Sequence, residues 1–271
     1  MPEGPEIHRE ADRLGKALTG QVAERVFFAF PRLEPWQATL AGRRVLGVEA
    51  RGKAMLVRFE GDVGVYTHNQ LYGRWTVTRD GALPATRRSL RFAIHTARAS
   101  ALLYSASTIE VLSPEEEAAH PFLSRLGPDP LALTCTPAAL ARALGASRAR
   151  RQLGALLLDQ GFVAGIGNYL RSEVLFAAEL APERTLSTLT AAEKRRLAQS
   201  LWEITRRAYE SGGITRELDD ARRLRRAGLR RREYRHWVFG LAGRPCPRCA
   251  SPIARETHSG RRVYVCRACQ R

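Results

Sequence analysis

The chain has 271 residues, 44% of them hydrophobic, and its 44 Lys+Arg against 27 Asp+Glu give a net charge of +17 and a pI near 10.8. Such a chain can build one large domain or two modest ones, and its charge favours a polyanionic partner, nucleic acid first and an anionic membrane second. No apolar run approaches the roughly 20 residues that span a bilayer, and a start carrying Glu3, Glu6 and Glu10 lacks a signal-peptide core; this argues against a membrane-spanning or secreted protein and leads to an expected cytoplasmic location.

The first residues read Met1-Pro2-Glu3-Gly4-Pro5-Glu6. Methionine is normally trimmed before a small second residue, which would leave Pro2 with a free secondary amine. An α-amino group titrates at about 7.7–8.0, against about 10.4 for lysine, so a useful fraction is neutral and nucleophilic near pH 7. Attack by a secondary amine on a sugar C1′ gives an iminium that has no N–H proton to shed, a strong electron sink for elimination. Glu3 is close enough to act as its acid or base partner. The plainer alternative is that these prolines only mark a helix start. That helix is predicted over Glu3 to Leu18, with Ile7, Ala11, Leu14 and Leu18 on one buried face.

From Val22 to Leu112 the pattern changes to short β-rich runs, among them Val45–Val48, Met55–Phe59, Val63–Tyr66, Trp75–Val77, Leu90–Ile94 and Ala101–Tyr104. Gly61, Asp62, Asp80, Gly81 and Pro84 supply turns, and strands at this spacing predict a sandwich or barrel. Ser113-Pro114-Glu115-Glu116 is a capping box that opens a short helix. Gly127-Pro128-Asp129-Pro130 reads as a linker, and the chain then turns helical. Thr136-Pro137 caps one helix, Arg151 to Gln160 is predicted as a second, and a third follows Asn168. Thr190-Ala191-Ala192-Glu193 caps a further helix that buries Leu197, Leu201, Ile204 and Ala208 and stops at Gly212-Gly213. Arg216 to Arg235, rich in arginine and poor in apolar residues, is expected to be a mobile basic loop.

Two stretches point to chemistry. Glycines at 161, 165 and 167 could aim backbone N–H groups outward at a helix N-terminus, a ready phosphate site, with Asn168 as N-cap or direct phosphate ligand. On the glycine count alone, an ordinary helix–helix turn is the slightly favoured reading. Farther on, Cys246-x2-Cys249, sixteen residues, then Cys266-x2-Cys269 has the spacing of a four-cysteine zinc site. Ile253 to Val265 is predicted as the hairpin between the pairs, with Ser259-Gly260 at its turn. Four protein ligands make one structural rather than catalytic Zn²⁺ per chain the expectation. Arg255, Arg261 and Arg262 cluster around the hairpin, where guanidinium groups could clamp phosphate. Cys135 is read as a buried bystander.

Together these residues resemble the formamidopyrimidine-DNA glycosylase/endonuclease VIII family from end to end. The likeness is carried by Pro2-Glu3-Gly4-Pro5-Glu6, Arg51-Gly52-Lys53, His120-Pro121-Phe122-Leu123 with Arg125-Leu126-Gly127-Pro128-Asp129, Gly165-Ile166-Gly167-Asn168-Tyr169 and the cysteine ribbon. His68-Asn69-Gln70-Leu71-Tyr72-Gly73, Tyr104-Ser105-Ala106-Ser107 and Phe28-Ala29-Phe30-Pro31 look like the endonuclease VIII branch. The 8-oxoguanine branch has a wedge methionine in a His-Leu-x-Met-x-Gly pattern, and no methionine follows Met55 here.

The resemblance implies an α+β protein: an N-terminal helix with a two-layer β-sandwich (1–126), a linker (127–133), a helix–two-turn–helix domain (134–240) and a zinc finger (241–271), with a DNA groove between the two main domains. It implies a bifunctional glycosylase and abasic-site lyase of base excision repair. Such an enzyme would remove oxidised pyrimidines from double-stranded DNA and cut the strand by β,δ-elimination. Pro2 would form the Schiff base with Glu3 as acid and base, Lys53 would assist β-elimination, and Arg261 would bind phosphate and support δ-elimination. Gln70, Leu71 and Tyr72 would fill the hole left by a flipped nucleotide, the alternative being a plain hairpin turn. Arg125 would meet the opposite strand or a phosphate, and Asn168 a flanking phosphate. Cys246, Cys249, Cys266 and Cys269 would hold the zinc. No redox or nucleotide cofactor is implied, and a monomer is expected, nucleoid-associated if bacterial. The rivals are a formamidopyrimidine/8-oxoguanine enzyme of the same family and a catalytically silent DNA-binding protein.

Overall fold

In the computed structural model, which describes residues 2–79, 82–147 and 149–271, the first apolar stripe folds into α1 (Gly4–Leu18). Met1 and the turn predicted at Asp80-Gly81 lie outside the described residues. The chain divides into two compact units, one of residues 6–125 with Pro2, the other of 126–271 with Glu3–Pro5.

The first unit is a two-layer sandwich. Its strands are β1 (Arg25–Phe28), β2 (Val45–Arg51), β3 (Ala54–Phe59), β4 (Val63–His68), β5 (Arg74–Thr78), β6 (Leu90–His95), β7 (Ser100–Tyr104) and β8 (Thr108–Leu112), and helix α2 (Pro35–Leu40) lies between β1 and β2. One antiparallel sheet runs β1-β6-β7-β5 and the other β2-β3-β4-β8. Period-two alternation decides which side chains face inward. Met55, Val57 and Phe59 of β3 join Phe92, Ile94 and Leu103 of the other sheet and Ile7, Ala11, Leu14 and Leu18 of α1 in one core. Ala54 and Leu56 point the other way, onto Tyr66, Leu112 and Phe122. Phe28 stacks on Phe92 with ring centroids 4.7 Å apart. A capping box at Ser113 then starts α3 (Pro114–Ala119), as its sequence predicts.

The second unit is helical. Thr136 caps α4 (Pro137–Ala146) through the Ala139 N–H. The helix predicted over Arg151 to Gln160 is much shorter, α5 (Leu153–Leu156). Two turns follow before α6 (Asn168–Ala177), because Asp159 and Gln160 spend their side chains on the backbone N–H groups of Gly161 and Gly165 instead of continuing a helix. The N-cap of α6 is Gly167, so Asn168 is the first helical residue and not the cap. The capping box at Thr190 opens α7 (Ala191–Ser211), which ends at Gly212 in the left-handed region (φ 71°). Its buried Leu197, Leu201, Ile204 and Ala208 close the core with Leu140, Leu144, Leu170 and Val174.

The mobile loop expected over Arg216 to Arg235 is instead two helices, α8 (Leu218–Arg226) and α9 (Arg231–Tyr234). Arg216 is buried, donates to Asp220 at 2.6 Å and lies 4.8 Å over the Trp237 ring. Asp219 and Asp220 in the first turn of α8, with Arg223, Arg225 and Arg226 in its last, complement the helix dipole. The chain ends in the predicted hairpin, β9 (Ala254–His258) and β10 (Arg261–Val265), paired from Arg261↔His258 to Val265↔Ala254. It packs on a small core of Phe176, Val238, Cys246, Ile253 and Cys266.

Candidate functional site

Pro2, Lys53, Gln70, Leu71, Tyr72 and Arg125 belong to the first unit, and Glu3, Asn168, Arg261 and the four cysteines to the second. Glu3 is the best-held of them. It is 4% exposed, and its carboxylate accepts the backbone N–H groups of Gly167 (2.9 Å), Tyr169 (2.8 Å) and Leu170 (3.2 Å). These are first-turn donors of α6, which have no partner inside their own helix. A carboxylate also complements the positive end of the helix dipole. Glycine makes the approach possible. Gly4 donates to the Gly165 carbonyl at 2.8 Å, and a Cβ on Gly167 would stand 2.4 Å from the Glu3 carboxyl carbon. The glycine-rich turn therefore does not present free N–H groups to a phosphate. Those of Gly161, Gly165 and Gly167 are each taken by Asp159, Gln160 and Glu3.

Asn168 lies one residue past this cap, half-buried, and its Oδ1 accepts from Arg171 at 3.0 Å. Arg171 escaped the sequence reading. It is fully buried, donates to the carbonyls of Gly154 and Arg262 (both 2.7 Å), and so fastens β10 to α6 beside Asn168. Burial pulls its pKa down to about 10, with the Glu3 carboxylate acting in the opposite direction. Glu173 was also missed. It is fully buried and accepts from Thr215 and from the N–H groups of Trp237, Val238 and Phe239 (2.7–2.9 Å), which fixes the segment leading into the hairpin. Burial pushes its carboxyl up. The available signal was three polar residues, Arg171-Ser172-Glu173, inside an otherwise apolar helix, since a helix buried all round must pair its charges.

Arg261 is exposed at the first position of β10. Alternation puts it on the face of Val263 and Val265, whereas Arg262 shares the other face with Arg255 and Tyr264. The three arginines therefore do not form one cluster.

In the first unit, Lys53 occupies the two-residue turn joining β2 to β3, after Gly52 at φ 61°. The turn brings it beside His68, whose pKa is lowered by burial first and by Lys53 second. His68 Nδ1 accepts the Gln70 N–H at 3.0 Å, which makes it a neutral acceptor at that nitrogen. The Gln70–Tyr72 segment is not a hairpin turn. It crosses from β4 in one sheet to β5 in the other. Leu71 and Tyr72 are 58% and 69% exposed, an unusual cost for large apolar groups. The Gln70 side chain bonds Ser107 (2.8 Å) and Thr108 (2.9 Å). Arg125 is exposed at the end of a short 3-10 turn, which His120 starts by accepting the Phe122 and Leu123 N–H groups.

The four ribbon sulfurs all lie within 4.8 Å of one another, with 3.8 Å between Cys246 and Cys269 and 3.4 Å between Cys249 and Cys266. A tetrahedron with metal–sulfur bonds of about 2.3 Å has edges of about 3.8 Å, so these thiols fit a single tetrahedral ion. The Arg248 N–H also points at Cys246 Sγ. A hydrogen bond from Ser251 draws the Cys249 thiol down to about 6, while burial pushes Cys246 and Cys269 up. If all four were deprotonated, a cation between them would offset their mutual repulsion.

A two-layer β-sandwich followed by a helix–two-turn–helix and a four-cysteine hairpin is the order of elements in a class of DNA glycosylases. Residues 1–107 match the formamidopyrimidine-DNA glycosylase N-terminal domain and residues 126–220 its H2TH domain. Endonuclease 8 of Pectobacterium carotovorum is 44% identical over 272 residues, and that of Escherichia coli 45% over 271, each covering 100% of both chains. The fold is shared with the Lactococcus lactis Fpg (MutM) structures. A complex with N7-benzyl-Fapy-dG DNA has a TM-score of 0.81 and a complex with an oxidised pyrimidine 0.82, both at 23% identity over 99% of each chain. This chain belongs to the formamidopyrimidine-DNA glycosylase/endonuclease VIII family, on its endonuclease VIII branch.

Proposed function

We propose that this protein, a DNA glycosylase and abasic-site lyase of base excision repair, removes oxidised pyrimidines from double-stranded DNA and cuts the strand by β,δ-elimination. The Pro2 nitrogen attacks C1′ and loses its proton as the damaged base leaves protonated, and the C1′–O4′ bond then opens with a proton to O4′. The iminium so formed draws electrons as a C2′ proton is lost and the 3′-phosphate departs, and a second elimination expels the 5′-phosphate. Glu3 moves the proton at the sugar, Lys53 aids the first elimination and Arg261 the second. Asn168 and Arg125 hold the DNA. Gln70, Leu71 and Tyr72 fill the gap left by the extruded nucleotide and offset a few kcal/mol of unstacking.

The carrying observation is the Glu3 carboxylate, next in sequence to the Pro2 amine and locked by three N–H donors on α6. For lesion class, the support is a crossover tipped by Leu71 and Tyr72 and lacking methionine. The four thiolates hold one Zn²⁺, which organises the ribbon, takes no part in the reaction and has no open position. The protein works as a monomer in the cytoplasm, on the nucleoid. Its working divisions are the catalytic sandwich (1–126), linker (127–133), helix–two-turn–helix (134–240) and zinc finger (241–271).

The reading is tested on duplexes carrying one dihydrouracil or one 8-oxoguanine. Dihydrouracil should be excised at least about tenfold faster, leaving phosphate on both sides of the gap. The reverse preference would reassign the protein to purine lesions, and binding without cleavage of either would make it a silent binder.

Gly167 gives a second test. Alanine there must push on a carboxylate that three N–H groups hold in place. Gly167→Ala is expected to slow single-turnover cleavage by about 100-fold, the usual scale for ångström-sized misplacement of a reacting group, while zinc content and duplex binding hold. Wild-type cleavage by this variant would show that Glu3 need not sit where α6 holds it.

A further inference from the structure

The crossover bearing Leu71 and Tyr72 is gripped by helix α1 at both of its feet. At the first foot, Asn69 is 4% exposed and its side-chain Nδ2 donates to Glu10 Oε2 at 2.9 Å. At the far foot, Arg13 Nη2 donates to the main-chain carbonyl of Trp75 at 3.0 Å, and Trp75 is itself 1% exposed in the sandwich core. The two grips are joined, because the same Arg13 nitrogen pairs with Glu10 Oε1 at 3.2 Å. Residues three apart share a helix face, so one face of α1 holds one bond to each end of the loop.

The loop between these feet is closed tightly. Gly73 donates to the Asn69 carbonyl at 2.7 Å, and a Cβ on Gly73 would fall 2.6 Å from the Asn69 Cα. Any shift of Asn69 must therefore carry Gly73, and with it Leu71 and Tyr72. Gln70 is held at φ 48° with its N–H on His68, a left-handed conformation that costs a non-glycine residue free energy and persists only where neighbours impose it. A side chain pushed into a base stack meets resistance, and a loose loop would yield before the stack does.

We propose that Glu10, Arg13 and Asn69 are positioning residues that stiffen the 69–73 crossover so that Leu71 and Tyr72 can enter a paired duplex. The proposal rests on the wedge role given above. The clamp contributes nothing to the bond chemistry at the sugar. It matters in proportion to the stacking that must be opened, least for a lesion that is already unpaired.

The test compares excision of dihydrouracil from a fully paired duplex and from the same duplex with three mismatched pairs centred on the lesion. Asn69→Ala and Glu10→Ala should each lower the single-turnover rate on the paired duplex by about tenfold, the scale of one hydrogen bond to a charged group. On the mismatched duplex the rate should stay within about twofold. The double variant should be no slower than the worse single one, because both remove the same bond. Glu10→Gln, which keeps an oxygen for Asn69, should recover most of the paired-duplex rate. Equal losses on both duplexes would mean general destabilisation and overturn the proposal, as would unchanged rates or no recovery with glutamine. If wild-type protein excises from neither duplex, the functional reading itself has failed and not the clamp.

Discussion

A protein that retains one residue ahead of Pro2 is expected to give no borohydride-trapped adduct with abasic-site DNA and to cleave at least about 1,000-fold more slowly, while still binding the duplex. The reason lies in which amine is available. At pH 7 an α-amine of ordinary pKa is about 10% neutral, whereas a lysine of ordinary pKa is about 0.04% neutral. That ratio of a few hundred favours the N-terminus before geometry is considered. A residue ahead of Pro2 turns its nitrogen into an amide, which has no lone pair to give. Geometry adds to this, since Gly4 is fixed on Gly165 and Glu3 on α6, so the first residues cannot slide forward to offer a displaced amine. Lys53 is the strongest alternative nucleophile, held in its turn beside His68. An adduct that survives the extension and disappears with Lys53→Ala would move the Schiff base to that lysine and refute the role given to Pro2.

What was legible in the sequence was what local spacing controls. The stripe of α1, the capping boxes at Ser113 and Thr190, the glycine stop of α7 and the four-cysteine hairpin each depend on residues a few positions apart. What stayed hidden depends on distant partners. The acceptor for the first turn of α6 is Glu3, more than 160 positions earlier, so the glycine-rich turn looked open to phosphate although its N–H groups were already taken. The Gln70–Tyr72 segment resembled a hairpin because neither strand order nor the change of sheet is written locally.

Arginine content hid the order of α8 and α9. Many arginines and few apolar residues suggested a mobile loop, but Asp219 pairs with Arg222, Asp220 pairs with Arg216 and Arg223, and Arg216 buries its guanidinium against Trp237. Arg171 and Glu173 were hidden for the opposite reason. They lie where an apolar residue is the usual choice, and only the carbonyls and N–H groups converging on them make their charges tolerable. The same pairs hold β10 and the segment before the ribbon against α6, so the helix that receives Glu3 also receives the strand that begins with Arg261.

Removing the zinc proposed for the four cysteines is the second change expected to act strongly. A two-stranded hairpin of five-residue strands is marginal alone in water, and the core beneath it is small, with Phe176, Val238, Ile253, Cys246 and Cys266 as its buried members among the described residues. Structural zinc supplies an apparent 10–16 kcal/mol, roughly, to small sites of this kind, more than such a core can replace. Cys249→Ser, or prolonged chelation, should therefore unfold residues 241–271 while α4, α6 and α7 stay packed in their separate core. The expected readings are one zinc released per chain, little change in helical circular dichroism, and at least about 100-fold weaker binding to abasic-site duplex as the phosphate contact proposed for Arg261 is lost. Some local order should survive at the hairpin's attachment, because Arg171 still reaches the Arg262 carbonyl and Gln270 the Leu180 carbonyl. Two results would contradict this: metal-free protein that cleaves at the wild-type rate, which would make the ribbon dispensable, or loss of α6 and α7 along with the zinc, which would make it part of the main core.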